Sequence, residues 1–226
     1  MISIVVPVLD EAAGIGASLA ALKAFRAAGA EVIVVDGGSR DATRSIAMAF
    51  ADRVIDAPRG RASQMNAGAA VAGGDVLLFL HADTTLPASA LAAIDHELDA
   101  RHAWGRFDVS ISGGGALLAI VAAMMNARSR LTGIATGDQA IFARREAFEQ
   151  AGRFASIPLM EDVALSKALK AVSPPACLRE RAVTSGRRWQ KHGTLRTIGL
   201  MWWLRFAYAM GADPGSLARR YDTGRA

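Results

Sequence analysis

The sequence predicts an α/β fold in which helices flank a mostly parallel central sheet. Three observations carry this. Short β-branched runs alternate with Ala-rich segments of helical period from the first residues onward, the pattern of repeated βα units. Apolar residues make up 52% and charged residues 21% of a 226-residue chain, a globular composition with enough length for a substantial core. Three apolar runs also end in acidic turns: Val8 before Asp10-Glu11, Val35 before Asp36-Gly37, and Leu80 before His81-Ala82-Asp83. Ligands of open α/β sheets bind beyond the carboxyl ends of the strands, so these acidic positions are expected to share one crevice.

Strands are expected at Ile2–Val8, Glu31–Asp36, Arg53–Asp56 and 76–80, where β-branched and apolar residues cluster. Helices are expected at 16–28, closed by Gly29, and at 42–51 and 63–72. Beyond Pro87 the pattern loosens into a helix to about residue 100, a strand near 104–111, a flexible Gly113-Gly114-Gly115 link and an apolar helix over 116–130. A strand at 140–143 and a helix at 162–171 precede the breaker Pro174-Pro175. The last feature is an amphipathic block from Thr194 to Met210.

Composition narrows the function classes. A single cysteine, Cys177, excludes an intrachain disulfide and a cysteine metal knuckle, and fits a reducing compartment. The amino-terminal run has no basic flank and is broken by Pro7 and Asp10, unlike a signal peptide. The stretch 116–125 is too short to span a bilayer and 197–212 is interrupted by Arg205, so no transmembrane helix is expected and the cytoplasm is the expected location. The net charge of +5 is uneven: residues 176–226 hold ten Lys and Arg against three Asp and Glu. Such a basic tail suits phosphate-bearing ligands or the anionic inner face of a membrane. Nucleic acid is not an expected partner, since zinc-finger spacing and an RNA-recognition aromatic signature are both missing.

Five segments carry candidate chemistry. Gly14-Ile15-Gly16 followed by Asp36 imitates a dinucleotide fingerprint but has Leu19 for the third glycine and a proline and two acids in the turn, which argues against a Rossmann dehydrogenase. Asp10, Glu11 and Asp36 can accept hydrogen bonds from a base imide or ribose hydroxyls, or cap helices. The loop and helix from Arg59 to Gly68 bring two guanidinium groups and the amides of Gln64 and Asn66 to a helix start, either an anion site or a solvated basic loop. Asp83 follows a buried strand, where a carboxylate can hold Mg²⁺ or Mn²⁺ against a diphosphate. Glu161 and Asp162 open a helix whose dipole keeps a carboxylate ionised, as a general base or an ordinary cap.

Taken in order, these segments resemble the family-2 glycosyltransferases of the GT-A fold, whose sheet is Rossmann-like. The resemblance runs from Ile2 to about Trp189. It rests on Ile4 through Glu11, Val34 through Thr43, Arg61 through Gly68, His81-Ala82-Asp83, Gly137-Asp138-Gln139 with Gly152-Arg153-Phe154, Glu161-Asp162, and Arg187-Arg188-Trp189. The compact chain ending in Trp202-Trp203-Leu204-Arg205-Phe206-Ala207-Tyr208 looks most like a bacterial subgroup associated with arsenosugar biosynthesis and, more distantly, like carotenoid-acid glycosyltransferases.

The resemblance implies an inverting transfer from a UDP- or GDP-linked sugar to a hydroxyl acceptor, small or lipid-like, assisted by Mg²⁺ or Mn²⁺. It implies that Pro7, Asp10, Glu11 and Asp36 line the base and ribose pocket, and that Arg61, Asn66, Gly137, Asp138, Gln139 and Glu161 contact substrate. Asp83 would ligate metal, His192 would either add a metal or phosphate contact or be a surface histidine in a basic stretch, Asp162 would be the base, and Arg188 with Trp189 would close over the diphosphate. One departure is plain: His81 stands where the family's D-x-D begins with Asp, and a neutral imidazole does not replace the lost charge. A non-catalytic nucleotide-binding scaffold and a nucleotidyltransferase are the competing classes, the latter opposed by the missing Gly-rich, Arg-containing loop after the first strand. The division expected is a catalytic domain over 1–190 and a helical extension over 191–226. That extension either lies on a membrane surface or packs as a core or homodimer helix.

Overall fold

The computed structural model describes residues 1–99, 101–113, 115–187, 189 and 193–223. Strands β1 (Ile2–Val8), β2 (Glu31–Asp36), β3 (Arg53–Asp56), β4 (Val76–Phe79), β5 (Thr84–Thr85), β6 (Trp104–Ser112), β7 (Phe142–Arg144) and β8 (Ala176–Ser185) form one sheet in the order β3-β2-β1-β4-β7-β6-β8-β5. Helices α1 (Ala12–Ala20), α2 (Lys23–Ala27), α3 (Thr43–Ala47), α4 (Arg61–Val71), α5 (Ala90–Glu97), α6 (Gly115–Thr132), α7 (Arg145–Gln150) and α8 (Glu161–Val172) flank it. Two more, α9 (Thr194–Ala209) and α10 (Pro214–Thr223), follow β8.

Strand β1 pairs in parallel with β2 and β4, and β2 with β3, which is the expected run of βα units. The register sets Val8 beside Asp36 and Asp36 beside Asp56, so the turns after β1, β2 and β4 open on one edge. The second half adds antiparallel pairs: β7 with β4 and β6, and β5 with β8, while β8 runs parallel to β6.

Alternation along β1 divides the core. Ile2, Ile4, Val6 and Val8 pack with Ile15 and Leu19 of α1, whereas Val5 packs with Met65 of α4 and Leu165 of α8. Burying each such side chain is worth about 1.5–3 kcal/mol. Helix α4 sits close on the sheet because Gly68 has no side chain: a Cβ there would overlap Val5 and lie 2.9 Å from Val35 Cγ2.

Several boundaries move for tertiary reasons. Helix α1 starts at Ala12 because Thr43 Oγ1 accepts the Glu11 N–H at 2.7 Å and Asp41 accepts the Ala12 N–H at 3.1 Å. The single helix expected over 16–28 breaks near Leu22, whose N–H reaches back only to the Leu19 carbonyl. The strand expected at 140–143 begins later, since Gly137–Gln139 forms a 3-10 turn and Ala140 adopts a left-handed φ of 47°. Strand β8, helix α7, helix α10 and the two-residue β5 are additions to the expected elements. β8 nevertheless has a period-2 signature, with Ala176, Leu178, Ala182 and Thr184 inward and Arg179 and Arg181 outward.

The carboxyl-terminal helices share a small core with the start of α8: Leu204, Leu217 and Tyr221 pack with Met160 and Val163. The other face of α9 leaves Leu195, Trp202, Trp203, Phe206 and Met210 exposed. No helix among the described residues is long and apolar enough to cross a membrane.

Candidate active site

The turns after β1 and β2 are laced together. Asp10, at a left-handed φ of 52°, donates its N–H to Ser39 Oγ at 2.9 Å and accepts the Arg40 N–H at 2.8 Å. Asp36 is 2% exposed and accepts the Ser39 N–H at 3.1 Å and the Ser39 hydroxyl at 2.5 Å. Beneath them Gln64, itself buried, donates through Nε2 to the carbonyls of Val8 and Val35, both at 2.8 Å. Pro7 is half-buried in β1 opposite Val35. Glu11 is more open and faces Arg187 Nη2 at 4.0 Å. Burial, then repulsion from Asp83, raises the Glu11 carboxyl above its usual range.

A second constellation joins β4, the 3-10 turn and α8. The His81 ring packs against Gly137, where a Cβ would overlap it, and places Nδ1 3.4 Å from Asp138 Oδ1. The Gly137 N–H donates to Asp162 Oδ2 at 2.9 Å, and the Val163 N–H donates to Asp162 Oδ1 at 2.7 Å. Two amides thus fix the orientation of this carboxylate at the start of α8. Its neighbour Glu161 is 4% exposed, with Arg61 Nη1 4.0 Å away. Burial, then the Asp162 charge, pushes Glu161 up to about 7, against the pull of Arg61. Desolvation opposes the Arg61 charge although its side chain is 41% exposed, but the surrounding groups, Glu161 first, more than offset this and hold that guanidinium above its usual value.

Asp83, Asp138 and Trp189 line a groove of about 590 Å³ that continues between α6 and α9. Among the described residues no three His, Cys, Asp or Glu side chains close around a cation. The exposed Asp83 carboxylate still fits Mg²⁺ or Mn²⁺, because these ions take one or two protein carboxylates and complete their shell with phosphate oxygens and water. Where the fold family uses such an ion, Asp83 has the right donor chemistry.

Three of the residues expected to contact substrate have their side chains bonded to the protein itself. Gln139 is fully buried and its amide is held in the turn, accepting the Thr136 N–H at 3.2 Å. Asn66 is engaged twice by the Phe154 backbone, at 2.8 and 3.1 Å, and so fixes a loop. Asp36 lies under the Ser39 turn and shapes it. Arg188 and His192 lie outside the described residues. Arg187 is the contributor missed by sequence reasoning, and Gln64, expected as an anion-site amide, instead braces β1 and β2; both stand inside segments that carry the resemblance, and their roles depend on partners far along the chain.

The sequence matches the family model described as "Glycosyl transferase family 2" over residues 3–150. A "PGL/p-HBAD biosynthesis glycosyltransferase" of Mycobacterium tuberculosis is 40% identical over 93 residues, which are 38% of this chain and 36% of that protein. The match therefore spans about a third of that curated relative's length. Among solved structures, the mannosyltransferase PcManGT from Pyrobaculum calidifontis, in complex with GDP-Man and Mn²⁺, superposes with a TM-score of 0.69 at 21% identity, covering 96% of this chain and 68% of that one. Glucosyl-3-phosphoglycerate synthase from Mycobacterium tuberculosis, in complex with Mn²⁺, UDP and phosphoglyceric acid, gives 0.58 at 18% identity over 80% of this chain and 68% of that one. Both structural likenesses are likenesses of fold.

Proposed function

The chain belongs to glycosyl transferase family 2 and has the GT-A fold, and on that premise we propose that it transfers a sugar from a nucleoside-diphosphate sugar to an acceptor hydroxyl with inversion. The observation that carries this reading is the fixed carboxylate of Asp162, bonded to the amides of Gly137 and Val163 beside the groove that Asp83 and Asp138 line. In this reading Asp162 accepts the proton of the acceptor hydroxyl. The acceptor oxygen then forms its bond to the anomeric carbon on the face opposite the diphosphate, whose C–O bond breaks with the electron pair staying on the leaving oxygen. Arg61 stabilises the growing negative charge, joined by Arg187 at the mouth of the crevice. A Mg²⁺ or Mn²⁺ ion at Asp83, when bound, supplies further charge neutralisation to the diphosphate. The laced turns after β1 and β2 support a base and ribose pocket around Pro7, Asp10 and Glu11, with the burial of Asp36 beneath them giving that pocket a rigid floor.

Release of nucleoside diphosphate from a panel of UDP- and GDP-sugars with Mn²⁺ tests the reaction class. Asp162→Asn is expected to lower kcat by about 10²–10⁴ with donor binding intact, the usual span for a general base. Near-normal turnover by that variant would overturn the base assignment, and release of pyrophosphate instead would favour nucleotidyl transfer.

A further inference from the structure

We propose that the groove between α6 and α9 is the acceptor subsite and that it takes an anionic amphiphile, an apolar chain or ring bearing a phosphate or carboxylate. The word acceptor rests on the transfer reading above; the binding site itself does not.

The groove's volume, about 590 Å³, falls among cavities that enclose small ligands rather than single ions. Val121, Met124 and Leu131 line it from α6, and Ile198, Met201 and Trp202 from α9. Met124, Leu131 and Trp202 are 46%, 87% and 61% exposed, so these two helices present apolar side chains that they do not cover for each other. A sugar-like acceptor alone would leave this lining wet. An apolar chain would dry it.

Charge selects the rest of the occupant. Arg128 and Arg205 line the same groove. Among the described residues, Nε and Nη2 of Arg128 are buried without a hydrogen-bond partner. Burial, then repulsion from Arg205, brings the Arg128 guanidinium down to about 10, while Asp162 pulls the other way. Buried donors on a cation are costly to leave unpaired, and two guanidinium groups without an anion between them repel. An oxyanion placed there would satisfy the free Arg128 donors and screen the pair. The same groove reaches Asp83 and Asp138, and Arg128 is within electrostatic range of Asp162, so a ligand anchored by its anion keeps its polar end by the base and its apolar body between the helices.

Titration calorimetry on the full chain, below the micelle threshold of each probe, separates the outcomes. Dodecyl phosphate is expected to bind at least about tenfold tighter than dodecyl maltoside or inorganic phosphate, the factor that one or two charge-assisted hydrogen bonds confer. The Arg128→Gln/Arg205→Gln pair should erase that preference with nucleotide binding in Mn²⁺ retained. Met201→Glu should weaken both dodecyl probes. Should the double variant fail to fold, the half-buried Arg205→Gln alone carries the same comparison. Equal binding of the two dodecyl probes, or none, overturns the proposal. So does a double variant that loses nucleoside diphosphate and keeps dodecyl phosphate, since the arginines would then hold the donor. None of these readouts uses turnover, so a failure here leaves the transfer reading standing, and absent sugar transfer leaves the subsite standing.

Discussion

The amide N–H of Gly137 donates to Oδ2 of Asp162 at 2.9 Å, tying the turn before β7 to the first residues of α8. The His81 ring lies against the same glycine, leaving no space for a Cβ. Gly137→Ala is expected to push the 137–139 turn off the imidazole and pull one donor from Asp162. Misplacement by about 1 Å costs on the order of 10² in rate, so kcat should fall by about that factor while circular dichroism stays native. Steady-state kinetics with a saturating donor checks it.

Asp83 should report metal through its single carboxylate. Asp83→Asn is expected to move the Mn²⁺ concentration for half-maximal activity up by about tenfold or more, because a neutral amide is a poorer ligand for a hard cation. Chelation should abolish turnover in both forms. Nucleotide binding measured without metal should be equal in the two proteins.

Glu161 predicts a pH dependence of stability. Its folded carboxyl sits at about 7, raised by burial and then by Asp162, against an ordinary value of 4.5. The native state holds this proton more tightly than the unfolded chain. The resulting stabilisation is complete below about pH 4.5 and is lost as pH rises through about 7, to an extent of roughly 3 kcal/mol. Glu161→Gln should remove this component. Urea unfolding at pH 5 and pH 8 measures the difference, which should be smaller in the variant.

Gln64 bonds the ends of β1 and β2 from inside the core. Gln64→Leu keeps most of the volume but leaves the Val8 and Val35 carbonyls without that donor. A loss of about 2–4 kcal/mol is expected from two such buried bonds, seen as a lower urea midpoint. Nucleotide affinity should fall with it, because both acidic turns start from those strands.

The parts of the fold legible in the sequence are those whose local chemistry has one solution. Strands β1, β2 and β3 fall where their β-branched runs put them. Strand β8 escapes because Arg179, Glu180 and Arg181 interrupt its apolar side and a proline pair precedes it; its inward residues become evident only beside β6. In the site, Asp83, Asp138, Glu161, Asp162 and Arg61 do come to neighbouring positions. Asn66, Gln139 and Asp36, whose side chains bond to the protein itself, are indistinguishable in sequence from these. Whether an amide faces a ligand or a loop depends on a partner such as Phe154, 88 residues from Asn66. The unpaired Arg128 is equally silent in sequence, since only folding buries it beside Arg205.

The stitches between residues 10–12 and 39–43 make two sheet-edge turns into one mechanical piece. Lengthening either by a residue would shear at least one stitch and disturb its neighbour. Divergence among relatives in which base they read should then proceed by exchanging side chains on a fixed frame, with insertions driven elsewhere on the surface.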